Sequence, residues 1–189
     1  GLTRLERDAA GRVTAQVSPT GAVTRIEYDA AGRACANIDA SGARTTLAYD
    51  ADSRIIARTF PDGQAERIRY DAMGRVISRS LPSRGTARYD YDKAGRLIGA
   101  ADAVFGLRRF RYDAAGQLTE AVNGLGGVTR YDYDERGRLV STTDPLGSVV
   151  RRAYDQGDRV VSETDPLGRT TTAGYDAAGR PLWQQAPDG

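Results

Sequence analysis

Aspartates recur in this chain at a fixed interval of 21 residues, and a repeated carboxylate is a candidate metal ligand. Eight of them directly follow a tyrosine, while a ninth, Asp8, follows Arg7. Most begin the pattern Asp-x-x-Gly, as in Asp29-Ala-Ala-Gly32. Aspartate at the first position of a four-residue turn caps backbone N–H groups, and glycine at the last position accepts a positive φ. We therefore expect nine turn caps and no metal site.

The tyrosines that precede these aspartates form a second periodic set. Aromatic rings suit the faces of sugars, and the hydroxyl adds a polar group, so a ladder of rings could bind carbohydrate. The other interpretation is a structural stack beside Ile26, Leu47 and Ile68, with each hydroxyl reaching a neighbouring strand. We expect the stack, because the period places every ring at the same point of its repeat.

Residues suited to nucleophilic catalysis are scarce in this chain. There is no histidine, which excludes histidine-based catalysis, and a cysteine without histidine is a poor nucleophile. The single Cys35 occupies the position of Ile56, Ile77 and Val140 in other repeats, so we expect it in a core. We predict no enzyme activity and no cofactor.

Two short turns per repeat explain how these residues are positioned. Before the first turn, Ile26 and Tyr28 share one face of a strand, while the intervening Glu27 faces the other way. The second turn has the signature Asp-Pro-Leu-Gly at residues 144–147, with looser versions elsewhere. Neither connection is long enough for a crossover, so neighbouring strands must be antiparallel.

The sequence therefore predicts an all-β fold, an antiparallel β-meander of nine in-phase repeats with two strands in each. One array covers residues 1–189. A sheet of about 18 strands cannot stay flat and open, so we expect a curled or spiral strip. The structural repeat residues are Tyr28, Asp29, Gly32, Arg33, Tyr49, Asp50, Tyr70, Asp71, Gly74, Tyr91, Asp92, Gly95, Tyr112, Asp113, Gly116, Tyr133, Asp134, Gly137, Tyr154, Asp155, Tyr175, Asp176 and Gly179.

Charge is spread evenly along the chain, with 27 basic and 25 acidic residues. This distribution lacks the clustered basic patch of a nucleic-acid binder, so we expect no nucleic-acid partner. No apolar run is long enough for a membrane span. One row of arginines precedes the tyrosine strands, and it comprises Arg4, Arg25, Arg67, Arg88, Arg109, Arg130 and Arg151. The row could bind an acidic polymer, but nearby Glu27, Asp90 and Asp132 favour cross-strand ion pairs.

The segment Tyr-Asp-Ala-Ala-Gly-Arg, at residues 28–33 and 175–180, resembles the YD repeat of the RHS family. That family includes bacterial polymorphic toxins, the B and C components of insecticidal toxin complexes, and the animal teneurins. The resemblance implies a hollow shell that encloses or presents a C-terminal toxin, in a protein that is secreted, surface-exposed or injected by bacteria. No segment of this chain resembles the toxin domain, so we interpret it as shell wall alone. Its implied partners are the remainder of the shell and the enclosed cargo.

Some RHS proteins resemble aspartyl proteases near the end of their core, where two Asp-Pro-x-Gly segments act together. Here Asp144 and Asp165 begin such segments, and paired carboxylates that share a proton can activate water. They lie 21 residues apart, at the same point of successive repeats, so turns are the favoured interpretation. A self-cleaving protease is kept as an alternative.

Two further expectations concern binding and irregular turns. The outer face of the strip is an alternative binding module for glycans or a protein, and exposed edge strands predict self-association. Several turns depart from the pattern: Ser53 replaces a glycine, Gly157 comes one residue early, Gln117 replaces an arginine, and Gly85 and Gly106 are shifted by one. We expect each shifted or replaced glycine to alter its turn type.

Overall fold

The computed structural model describes residues 2–187, which form two compact units that meet in sequence between Tyr89 and Asp90. The first unit holds β1 Arg4–Arg7, β2 Val13–Val17, β3 Val23–Tyr28, β4 Ala34–Ile38, β5 Arg44–Tyr49, β6 Ile55–Thr59, β7 Ala65–Tyr70 and β8 Val76–Leu81, and the unit boundary falls within β9 Gly85–Tyr91. The second unit holds β10 Leu97–Asp102, β11 Gly106–Tyr112, β12 Leu118–Val122, β13 Val128–Tyr133, β14 Leu139–Thr143, β15 Val149–Tyr154, β16 Val160–Thr164, β17 Thr170–Tyr175 and β18 Pro181–Gln185.

Within each unit, every strand pairs with the next one in an antiparallel register. The described residues contain strands and turns but no helix. Eighteen strands over nine repeats confirm the predicted all-β meander with two strands per repeat.

No described helix has the length and apolar character needed to span a membrane.

Both turns of a repeat use one backbone geometry, although their sequences differ. In the first turn, the N–H of Asp29 donates to the carbonyl of Arg33 at 2.9 Å, and the N–H of Gly32 donates to Asp29 at 2.9 Å. In the second, Ser18 and Ala22 make the same bond at 2.8 Å, and Gly21 closes the inner ring. Gly32 and Gly21 have φ of 80° and 85°, the left-handed region in which glycine avoids a Cβ clash.

A β-bulge follows the first turn of the repeat. Tyr28 pairs with Ala34 and Glu27 with Ala36, so Cys35 is an extra residue in β4. The same register shift occurs in the other first-turn hairpins, such as the pairs β5–β6 and β13–β14. A bulge bends its strand and increases the local twist. The expectation that Cys35 lies in a core is therefore wrong, since it is half-buried at the bulge.

Neither unit has a conventional hydrophobic core among its described residues. The buried apolar residues are Ala15, Ala36 and Ala100, and no large side chain is fully buried. Each unit is one layer of strands, so both faces of its sheet meet solvent. The tyrosine face carries the ring of Tyr28 and its equivalents. The arginine face carries Arg25 and its equivalents, because alternate residues of a strand point to opposite sides.

Two replaced glycines leave their turns unchanged, contrary to the expectation from sequence. Ser53 and Asp158 adopt φ of 63° and 61° themselves, and their N–H groups make the usual bonds to Asp50 and Asp155. Gly157, although one residue early, is not the residue with positive φ. At the two shifted glycines the turn does change, because Leu81 pairs directly with Gly85 and Asp102 with Gly106.

The strained turn at Ser53 can be tested by substitution. The Ser53 hydroxyl accepts a hydrogen bond from Nη1 of Arg33 at 3.2 Å, which offsets part of the cost of its positive φ. Ser53→Ala keeps the strain and loses the bond, whereas Ser53→Gly removes the strain. We expect the alanine variant to be less stable than the glycine variant by about 1 kcal/mol in urea unfolding. Equal stabilities would show that the turn is not strained.

Candidate functional site

The repeated aspartate is fully engaged in its own turn. In the first complete repeat, Oδ1 of Asp29 accepts the N–H groups of Ala31 at 3.0 Å and Arg33 at 2.9 Å. Its second oxygen, Oδ2, accepts Nε of Arg33 at 2.8 Å. The side chain thus caps the turn and forms an ion pair with the arginine that leaves it.

The same arginine also reaches the next repeat. The Arg33 guanidinium lies over the ring of Tyr49, 4.6 Å from its centroid, and Nη1 donates to the carbonyl of Asp50 at 3.2 Å. In return, the Tyr49 hydroxyl donates to the carbonyl of Ala34 at 2.6 Å. Aspartate, arginine and the following tyrosine therefore tie this first turn to the next one along the chain.

We call these contacts the repeat-linking network. Guanidinium–ring distances of 4.5 to 5.0 Å recur within the two units, and such cation–π contacts add to the ion pairs. The stacked pairs within the units include Arg12–Tyr28, Arg33–Tyr49, Arg54–Tyr70, Arg96–Tyr112, Arg138–Tyr154 and Arg159–Tyr175. The hydroxyl bonds of Tyr70 and Tyr112 to Ile55 and Leu97 repeat the pattern over the same 15-residue separation.

The capping bonds lower the carboxyl pKa values. For Asp29, the N–H of Arg33 is the main cause, and the Arg33 side chain also lowers the pKa below its usual 3.8. For Asp134, the Arg138 side chain is the main cause. These aspartates are thus ionised at neutral pH and occupied by fixed donors. Among residues 2–187, no group of three or more potential metal ligands comes together.

One repeat lacks the arginine and shows what the network contributes. Gln117 keeps the backbone bond to Asp113 at 2.8 Å, and its Nε2 donates to the carbonyl of Gly137 at 2.8 Å. Its amide carries no charge to pair with Asp113 or to stack on Tyr133. Burial, followed by Tyr131 and the charge of Asp113, raises the pKa of the Tyr133 phenol.

The protease candidates Asp144 and Asp165 cap separate second turns. Oδ1 of Asp144 accepts the N–H groups of Leu146 and Ser148, both at 2.8 Å. Oδ1 of Asp165 accepts the N–H of Leu167 at 2.9 Å, and its Oδ2 pairs with Arg169. The N–H of Ser148 is the main cause of the lowered Asp144 pKa, and the Arg169 side chain is that for Asp165. A pair sharing a proton would instead raise one pKa.

The predicted ion pairs of the arginine row are mostly absent from the described residues. Glu27 binds Arg44 at 2.6 Å, not Arg25. Arg4 pairs with Glu6 on its own strand at 2.6 Å, and Arg130 approaches Glu120 at 3.9 Å. Among the described residues, the row makes none of the expected pairs with Glu27, Asp90 or Asp132, although Glu27 and Arg130 each form a cross-strand ion pair with another residue. The strand register places Ala15 opposite Arg25, Ala57 opposite Arg67 and Ser78 opposite Arg88. None of these three opposing side chains carries a charge.

Sequence reasoning missed one buried charge cluster. Glu66 is only 3% exposed, and it contacts Nε of Arg79 directly and Nη1 of Arg58 at 3.9 Å. Arg58 lies opposite Glu66 in β6, whereas Arg79 lies opposite Ile68 in β8. The available signal was a lone glutamate in a position that Thr45 and Ala87 occupy elsewhere, between two arginines 21 residues apart.

Comparison with known proteins places the array in a family. The chain matches the Teneurin YD-shell family over residues 3–185. It belongs to that family. This confirms the YD-repeat identity predicted from the recurrent Tyr-Asp-Ala-Ala-Gly-Arg segment. No curated protein matches the YD-shell chain in sequence.

Two solved structures share the YD-shell fold at low sequence identity. A crystal structure of TcdB2-TccC3-TEV matches with a TM-score of 0.71 and 15% identity, over 95% of this chain and 11% of that one. A Photorhabdus luminescens Tc holotoxin pore matches with a TM-score of 0.66 and 16% identity, over 99% of this chain and 12% of that one. The chain thus spans about a ninth of the chains it matches.

The network predicts opposite effects for two reciprocal substitutions. Arg138→Gln removes the contacts to Asp134, Asp158 and Tyr154, so we expect it to lower Tm by about 2–4 °C. Gln117→Arg introduces the missing guanidinium and should raise Tm by a similar amount. Calorimetry of both variants tests this. Arg136→Gln, at an exposed position in the same turn, is the matched control, and a loss as large as that of Arg138→Gln would contradict the network.

Acid should weaken the fold through the capping aspartates. Their folded-state pKa values lie below the unfolded value of 3.8, so their stabilisation is complete above that pH and is lost as pH falls through the folded values. We expect Tm to be flat from about pH 7 to 5 and to fall below about pH 4. Asp134→Asn should be less stable than the parent at pH 7, and the two should converge below about pH 3. A constant difference across this range would exclude the capping charge as the cause.

Proposed function

We propose that this chain is a wall segment of a YD-type shell that encloses or presents a C-terminal toxin or effector. The observation that carries the proposal is the repeat-linking network. In most repeats, the side chains that could act chemically, those of aspartate, arginine and tyrosine, instead join one repeat to the next. A continuous surface built from one repeated unit, with each unit joined to its neighbours, is suited to form the wall of a shell.

A row of exposed leucines supports contact with other parts of a shell. In the second unit, Leu125, Leu146 and Leu167 occupy the tips of successive second turns and are 98%, 91% and 77% exposed. Two strand spacings separate neighbours, about 10 Å. The equivalent tips in the first unit carry polar residues such as Thr20 and Ser41. Exposed apolar residues along one rim favour a protein contact, and the remainder of the shell is the partner we propose.

The edges of the sheet support association as well. β18 pairs with β17 and is exposed along its full length, including Trp183 at 53%. An edge strand presents unpaired backbone groups that another strand can use. In a shell, further repeats occupy this edge; in isolation, a second copy of the chain does. We also propose an extracellular or injected location, by analogy with the Tc holotoxin that the fold resembles.

Enclosure is tested on the complete gene product with a protease. Any segment outside the repeat array that is cargo should resist digestion in the native state and be cut rapidly once the array is unfolded. Arg138→Gln should lower the temperature at which the cargo becomes accessible, while Arg136→Gln should not. Equal digestion of cargo in native and unfolded samples, or electron micrographs of an open ribbon, would refute the shell.

The same material tests the protease alternative. Because Asp144 and Asp165 cap separate turns, we expect Asp144→Asn and Asp165→Asn to leave any self-cleavage of the gene product unchanged. The cleavage products are followed by mass spectrometry over time. Loss of one specific cleavage in both variants, with Tm retained, would instead assign a catalytic dyad.

A further inference from the structure

A cleft in the second unit is formed by β9, β10 and β11. Its volume is about 580 Å³, and its lining residues are Asp90, Tyr91, Ile98, Gly99, Leu107 and Arg109. All of them lie within residues 90–189, the range of the second unit. The volume falls within the range of about 300–1,000 Å³ that is usual for small-molecule sites in proteins.

The floor of the cleft is a glycine inside a strand. Gly99 is buried in β10, and an added Cβ would lie 2.9 Å from Oδ2 of Asp90, closer than real Cβ contacts. The Asp90 carboxylate therefore lies over β10, in space that a side chain would otherwise fill. Alanine or serine occupies the equivalent position in most other repeats, as at Ala36 and Ser141. A glycine within a strand often marks a place where a ligand approaches the backbone closely.

Two opposite charges flank this floor without pairing. Arg109 lies opposite Gly99 in β11 and is exposed. The side chains of Arg109 and Asp90 form no hydrogen bond or ion pair, with each other or with any other residue between 2 and 187. An unpaired carboxylate and an unpaired guanidinium that face one cleft are complementary to a molecule that carries both charges.

Apolar side chains form the rest of the wall. Leu107, on the same face of β11 as Arg109, is 45% exposed, and Ile98, next to Gly99, is 38% exposed. They place apolar surface beside the two charges. A polyanion or a polycation would neutralise only one of these charges, whereas a small dipolar molecule with an apolar side chain matches all parts of the cleft.

We infer that this cleft binds the zwitterion of an apolar α-amino acid. The ammonium group of the ligand binds the Asp90 carboxylate, and its carboxylate accepts two parallel hydrogen bonds from the Arg109 guanidinium. The ligand side chain packs against Leu107 and Ile98. A peptide amide in the same place would leave both protein charges without a counter-charge, so a free amino acid is favoured. The site is independent of the proposed wall function, because the Asp90 and Arg109 side chains take no part in the repeat-linking network.

Leucine and three related compounds test which groups of the ligand are recognised. In calorimetric titration of the full chain, L-leucine should bind. N-acetyl-L-leucine, which lacks the ammonium charge, and L-leucinamide, which lacks the carboxylate, should each bind at least about tenfold more weakly. Glycine, which lacks the apolar side chain, should also bind more weakly. Equal binding of leucine and any of these compounds would overturn the inference, and so would the absence of leucine binding at about 10 mM.

The chain supplies a matched control for the protein side of the site. Asp132, Ser141 and Arg151 repeat the layout on β13, β14 and β15, with a serine in place of the glycine. Asp90→Asn combined with Arg109→Gln should weaken leucine binding at least about tenfold, whereas Asp132→Asn combined with Arg151→Gln should change it by less than about twofold. Equal weakening by both pairs would indicate general attraction by surface charge and would refute the site.

A single methyl group tests the floor of the cleft. Gly99→Ala places a Cβ where the Asp90 carboxylate lies, and the flexible aspartate side chain can move away from it. We expect leucine binding to weaken at least about fivefold while Tm is kept, because the equivalent Ala36 is part of a regular repeat. Unchanged binding would show that the ligand does not occupy this cleft. Asp90 and Arg109 have no side-chain partner to lose, so Tm of their variants should also be kept, which separates a lost site from a lost fold.

Discussion

The contact of an arginine with its own turn aspartate and with the next tyrosine is the interaction on which the rest of this structure depends. A single layer of strands buries little apolar surface, and among residues 2–187 the buried apolar set consists of three alanines. Backbone pairing aligns the strands, but it does not distinguish one register from another. The network does, because Arg33 must reach both Asp29 and Tyr49 at once. Stability is therefore distributed along the array, as expected for a repeat protein whose units contact their neighbours.

The need for each arginine to reach both its own turn aspartate and the next tyrosine explains why the 21-residue repeats contain substitutions but no insertions. One added residue would move a strand's side chains to the opposite face and separate each tyrosine from the preceding arginine. Substitutions are tolerated where another atom replaces the lost contact. Gln117 bonds the carbonyl of Gly137, and Ser53 and Asp158, although strained, accept bonds from Arg33 and Arg138. The irregular repeats thus retain the links between neighbours by different chemistry.

The faces and edges of the sheet separate structural contacts from surfaces that remain free to bind. The network occupies the turns and the tyrosine face. The leucine rim of the second unit, Leu125, Leu146 and Leu167, carries exposed side chains that take no part in the network.

Most of the fold followed from sequence, because its determinants lie within a few residues of one another. The period of 21, the Asp-x-x-Gly turns and the alternation of Ile26 and Tyr28 predicted an antiparallel meander and the YD-repeat family. The tertiary structure decided what depends on register between strands. The cluster around Glu66 joins side chains from three strands, and the bulge at Cys35 depends on how β3 pairs with β4. Charge alone predicted ion pairs for the row of arginines before the tyrosine strands, but the strand pairing places uncharged side chains such as Ala15, Ala57 and Ser78 opposite most of them. The geometry of a turn is determined by residues that are adjacent in sequence. The partner of a charged surface side chain is instead determined by how the strands are aligned.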